Sequence, residues 1–264
     1  IFLKNPSSYA KNSSNFEENE NYDLYGTIKF DSSFPLQKKM DQNTHYLRPV
    51  ASVRYSPNGN SDISSKDVLL NYDNVFSLNR IGTSDQVEGG DSLSMGLEFK
   101  RSDNFGNDIL DFKIANVLKS KENSKLPTKS KLNKTRSDLF GSLNYNLNKN
   151  LKFGYDFSYD RDLEYANLEG LNVGMSLNNV FTDFNYYTTK NDLGKNETIS
   201  NNTLINLNTE NSFEFSTTKD LIDDFTEFYN LTYTYETDCI SLNLNYNKSF
   251  YRDGALEPNE SLSF

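Results

Sequence analysis

The chain has 264 residues, a formal net charge of -10 and a hydrophobic fraction of 35%, with a mean hydropathy of -0.73 and a pI near 4.7. This acidity excludes nucleic acid as a partner, because phosphate contacts need clustered Lys and Arg. A single histidine, His45, and a single cysteine, Cys239, leave little for metal, cofactor or His-dependent catalytic chemistry and no internal disulfide. Low hydropathy would suit disorder, but 17 Tyr and 19 Phe do not. No run approaches the roughly 18 apolar residues of a spanning helix. The chain opens on Ile1 without a charged and apolar signal segment. It therefore reads as a piece of a longer protein.

Residues 1–21 are polar and without period, and are expected to form a connector or irregular start. Alternation begins at Tyr22, and residues 22–264 read as about 12–13 strands of a barrel. Leu24, Ile28 and Phe30 share one face; then Leu47, Pro49, Ala51, Val53 and Tyr55 are in phase, with Pro49 lacking a ladder donor. Pro57 to Gly90 is a long connection in which residues 67–80 are expected to be short helix or irregular packing. Leu93, Met95, Leu97 and Phe99 form the next strand, and Leu110, Phe112, Ile114 and Leu118 the one after.

A lysine-rich segment over 119–136 precedes the cleanest hairpin, which carries Leu143 and Tyr145, then Leu151, Phe153, Tyr155, Phe157 and Tyr159. Strands follow through Leu171–Leu177 and Val180–Thr189, with weaker ones near Thr203–Leu207 and Phe213–Phe215. Phe225 to Phe250 then repeats the pattern, Tyr229, Leu231, Tyr233 and Tyr235 against Leu242, Leu244 and Tyr246, around a turn at Thr237-Asp238. Runs of about ten residues with one apolar and one polar side are the unit of a transmembrane β-barrel. The fold expected is all-β, an antiparallel meander forming the C-terminal part of a large transmembrane barrel.

The connections sort into two classes. The set containing Thr237-Asp238, Asn178-Asn179 and Asn148–Asn150 is short; the alternate set, Pro57–Gly90, Lys119–Lys134, Lys190–Thr198, Thr218–Asp224 and Tyr251–Pro258, is mostly long, with Asp160–Leu163 the exception. Outer-membrane barrels put tight turns on the periplasmic side and long loops outside. On that count Lys119, Lys121, Lys125, Lys129, Lys131, Lys134 and Arg136 lie outside the cell, either solvated or set to meet phosphates and acidic sugars. Arg80 and Glu88 could pair and fold the long loop over the barrel mouth as a cap, with Gly89 and Gly90 supplying positive-φ or close-contact positions. Asp160, Asp162 and Glu164 are suggestive of a cation loop but lack its full ligand pattern. Cys239, in a tight turn, is either a small packed hydrophobe or paired in an oxidising compartment.

Three motifs resemble the LPS-assembly outer-membrane protein family (LptD, also called OstA). They are Phe34-Pro35-Leu36 with Tyr46-Leu47-Arg48-Pro49-Val50-Ala51; Phe76-Ser77-Leu78-Asn79-Arg80 with Asp85-Gln86-Val87-Glu88-Gly89-Gly90; and Tyr235-Glu236-Thr237-Asp238-Cys239. The resemblance implies part of a very large barrel in the outer membrane of a Gram-negative cell. Such a barrel holds a plug lipoprotein of the LptE type, receives lipopolysaccharide from a periplasmic Lpt bridge and passes it into the outer leaflet. It also implies a disulfide from Cys239 to a domain outside this chain. Many members have two adjacent cysteines here; Ile240 stands at the second position, so one bond at most forms from this site. No enzymatic role is expected. A porin or substrate-specific channel is the alternative, and a surface hydrolase a third that one His serves poorly.

Overall fold

The computed structural model describes residues 2–4, 7–8, 21–22, 25–57, 62–64, 68–81, 87–191, 194–250 and 259–264. Strand dominates. Short pieces come first: β1 (Phe2–Lys4), β2 (Ser7–Ser8) and β3 (Asn21–Tyr22). Then β4 (Tyr25–Ser33) and β5 (Leu36–Lys39) both pair with β6 (Asn43–Ser56). The meander continues through β7 (Gly90–Asp103), β8 (Asp108–Leu118), β9 (Leu139–Asn148), β10 (Leu151–Tyr159) and β11 (Ala166–Leu177). It ends with β12 (Val180–Asn191), β13 (Gly194–Asn206), β14 (Asn211–Asp220), β15 (Phe225–Glu236), β16 (Ser241–Ser249) and β17 (Asn259–Ser263). All but β2 and β3 join one 15-stranded sheet, and from β6 onward each strand is the antiparallel partner of the next in sequence. Among the described residues, regular helix is limited to α1 (Tyr72–Val75) and a 3-10 turn at Lys129–Lys131.

The register shows why the alternation builds a two-faced wall. Along one row the partners run Phe99, Phe112, Leu143, Tyr155, Leu171 and Tyr186. One residue over, the row runs Arg48, Glu98, Lys113, Ser142 and Asp156. Farther along, Phe215, Leu231, Tyr246 and Leu262 oppose one another on the apolar face, while Ser216, Asn230 and Asn247 do so on the polar one. Because side chains alternate strictly, one register slip would exchange the two faces. Large apolar side chains such as Phe30, Val53, Met95, Leu231, Leu242 and Leu244 stay exposed on the apolar face. Phe157 covers Gly141 on that face, where a Cβ would stand 2.3 Å from its ring.

Several boundaries differ from those read in the sequence. The polar segment 190–199 is not a loop: β12 runs to Asn191 and β13 resumes at Gly194, paired to the end. Strand there is polar on both sides, which removes the period that hydropathy detects. The connection at 221–224 is also short, so the asymmetry of ends rests on residues 57–89 and 119–138. The expected loop at 251–258 lies outside the described residues. Within 1–21, β1 joins the sheet beside β4. Pro49 is tolerated because β4 and β5 break opposite it, at Phe34-Pro35, where the Phe34 amide still donates to the Pro49 carbonyl at 3.1 Å.

Candidate functional site: a polar wall and its cap

The buried core does not lie between two sheets. It lies where the two long connections fold onto the polar face of β6–β10. Ile63, Val68, Leu70, Tyr72, Val75 and Ile81 from the first connection meet Leu126 and Leu132 from the second, over Ala115, Val117 and Phe140 of the wall. The wall makes room with small side chains: Ser92, Ser94 and Gly96 alternate on β7, and Phe76 sits so close over Gly96 that a Cβ would meet its ring at 2.7 Å. Asn71 starts α1 with a capping box, its side chain accepting from the Asn74 amide while Asn74 accepts from the Asn71 amide. The two connections also bond each other, Ile63 N–H to the Lys125 carbonyl at 2.9 Å and Leu70 N–H to Ser130 Oγ at 2.9 Å.

Charge ties this cap to the wall at two places. Tyr72 donates to Glu98 at 2.7 Å, and Glu98 is held by Arg48 through two bonds of 2.6 Å. Deeper, Glu88 receives Arg80 through Nε at 2.9 Å and Nη2 at 2.8 Å, and Lys119 Nζ at 2.6 Å, with Arg54 Nη1 at 3.7 Å. Arg80 also donates to Ser92 and Ser94, at 2.8 and 2.9 Å, and Arg54 to the Leu78 carbonyl at 3.1 Å. The Glu88, Arg80 and Arg54 side chains are at most 3% exposed. Burial alone would push the Glu88 carboxyl up, but the charges of Arg80, Lys119 and Arg54 hold it far below the usual carboxylate range. Burial lowers the Lys119 ammonium against the pull of Glu88.

The sequence-predicted residues divide accordingly. Arg80 and Glu88 are paired inside the cap; Gly90 has φ +92°, and Gly89 is buried beside Glu88. Residues 82–86 of that motif lie outside the described residues. Lys119 is corrected: it belongs to the buried Glu88 cluster, its side chain 5% exposed, because β8 delivers it to the cap's underside. Lys121, Lys125, Lys134 and Arg136 are exposed, and Lys129 and Lys131 half-buried. Lys131, Lys134 and Arg136 line a cleft of about 300 Å³ with Asp160, Arg161 and Tyr165. Asp160 is a turn organiser: although burial opposes its charge, amides of Tyr165, Asp162 and Glu164 hold its carboxyl below the usual range. Cys239 is exposed in the 237–240 turn, and His45 packs against Phe99 at 5.8 Å between ring centroids.

Sequence reasoning missed Arg54, Tyr72 and the serine row. The available signal was Arg54 between Ser52 and Ser56, a charge in a row of small hydroxyls on the polar face. At the tight-turn end, the same wall bounds an open cavity of about 670 Å³ lined by Tyr46, Arg48, Glu98, Lys100 and Asp108.

A polar wall, an apolar outer face and a capped end describe a barrel without saying what it carries. The family model "LPS transport system D" (LptD) matches residues 3–224. The chain belongs to the LptD family. Its members form a lipopolysaccharide transport system, and the match covers the meander from β1 through β14. Among solved structures, the LptD chain is similar to a mutant porin of Rh. blastica, at 8% identity and TM-score 0.36, over 94% of this chain and 92% of that one. It is also similar to Salmonella typhi OmpF in complex with daunomycin, at 12% identity and TM-score 0.35, over 93% and 87%. No curated protein matches the chain.

Proposed function

We propose that this chain is part of an integral outer-membrane barrel that assembles lipopolysaccharide into the outer leaflet. The observation that carries the reading is the family match from residue 3 to residue 224. The two-faced wall supports it: the apolar face suits lipid, and the polar face suits a lumen that a plug lipoprotein of the LptE type would fill. No bond is made or broken. The wall supplies a polar interior, a dry belt and an edge at β17 that pairs only with β16 among the described residues.

Residues 22–264 are assigned to the barrel, with the tight turns toward the periplasm and the cap outside. Lipopolysaccharide arrives from a periplasmic Lpt bridge through an N-terminal domain beyond this chain. Cys239, exposed in a periplasmic turn, bonds a cysteine of that domain. The exposed residues Lys121, Lys125, Lys134 and Arg136, with Lys129 and Lys131, meet phosphates of the outer leaflet. The test is purification of the full-length protein from its own membrane: a lipoprotein should come with it in fixed ratio. A full-length barrel that purifies alone and conducts small solutes would overturn the reading in favour of a porin.

A further inference from the structure

The Glu88 cluster holds three cations against one carboxylate. The four groups come from three places: Arg54 from β6, Arg80 and Glu88 from the first connection, and Lys119 from the residue just past β8. Arg80 takes both carboxylate oxygens, and Lys119 shares one of them. Arg54 has its Nε on the Leu78 carbonyl, while its buried Nη2 has no hydrogen-bond partner. Among the described residues the arrangement is therefore short of negative charge, with Glu88 as its one acid.

A buried ion pair adds little over an apolar packing of the same volume, but removing one partner leaves uncompensated charge in the interior. Here the consequence is lopsided. Losing one cation leaves Glu88 still held by the other two. Losing Glu88 strands three cations, two of them arginines that cannot shed a proton. They can regain solvent only by lifting Arg80 and its connection off the wall, which also uncovers the Ile63–Leu126–Phe140 core.

We propose that Glu88 is the latch of the cap, the one group that seals both long connections onto the wall and keeps this end of the barrel closed to solutes. This goes beyond lipopolysaccharide assembly: sealing and assembly are separate tasks of the same wall, and one can fail without the other.

The experiment uses the full-length protein as the only copy in cells, carrying a reporter cysteine at Ser130 (S130C), which is buried where the connections meet. A membrane-impermeant maleimide is added outside, and labelling is taken over the same protein without the reporter. The parent should be protected. Glu88→Gln should label at least about tenfold faster and admit a large hydrophilic antibiotic, since three cations lose the anion they share. Arg80→Lys should fall between, and Lys119→Met should stay within about twofold of the parent. Protection of Glu88→Gln equal to the parent overturns the latch. So does a Lys119→Met cap as open as that of Glu88→Gln, because the effect would then be lost packing and not stranded charge. Should Glu88→Gln fail to reach the membrane, Glu88→Asp, which draws the carboxylate back from the three cations, decides: faster labelling supports the latch, parent-like protection refutes it. Surface lipopolysaccharide scored in the same cells separates a failed latch from a failed transport reading.

Discussion

The capped and uncapped halves of the sheet are built from one pattern and end in different physical states. From β6 to β10 the polar face carries a folded core of its own, with Phe140, Val117, Leu126 and Leu132 fully buried. From β13 to β17, among the described residues, the only buried side chain is that of Asp220. The same alternation of apolar and polar side chains makes both walls. What differs is the row of small residues, Ser92, Ser94 and Gly96, that lets a loop settle on one of them. An alternating strand thus specifies a wall, while the size of its inward residues specifies what may lie against it.

Three comparisons between substitutions and one titration probe that contrast, all read by unfolding and refolding in lipid unless stated. The largest effect is expected from Phe140→Ala, which opens a cavity under the cap and should cost about 3–5 kcal/mol; Asn243→Ala in the uncapped wall should change stability by less than about 0.5 kcal/mol. Equal losses at the two positions would show that the cap is not a core. Next, Leu244→Arg or Phe153→Arg on the apolar face should cost about 2–4 kcal/mol, with Asn243→Arg mild by comparison. That pair tests the wall itself, and similar costs on both faces would remove the membrane from the account.

Gly96→Ala should cost about 1–3 kcal/mol, because its Cβ would drive Phe76 off the wall. Gly170→Ala, whose Cβ meets only ordinary contacts at 3.7 Å and beyond, should be nearly silent at this position. The smallest expected change is with acid. The Glu88 carboxyl lies below its unfolded value, so its contribution is complete above the ordinary carboxylate range and is lost only as pH falls through the lower, folded value. Protection of Ser130→Cys should therefore hold from neutral pH to about pH 5. Opening in that window would mean that a different acid closes the cap.

Most of the wall was legible because a buried-or-lipid face must alternate with a polar one. Leu151 to Tyr159 and Phe225 to Glu236 announce their strands residue by residue. Legibility failed where both faces are polar, as over 190–191 and 194–198, because the period survives in the backbone while the hydropathy contrast is gone. The Arg80–Glu88 partnership could be read from the motif, since the two residues flank one loop. Lys119 could not: it looks like the first of a lysine run, and only the strand that ends beside it turns its ammonium inward to Glu88. Arg54 is legible only when its neighbours on the same face, Ser52 and Ser56, are seen to be small and buried with it.

Lipopolysaccharide assembly and general permeation part ways when the full-length protein is depleted and newly made lipopolysaccharide is followed. A wall that serves assembly leaves new lipopolysaccharide short of the outer leaflet, accumulating behind it, with small-solute uptake unchanged. Normal delivery to the surface combined with a fall in small-solute uptake would contradict an assembly role.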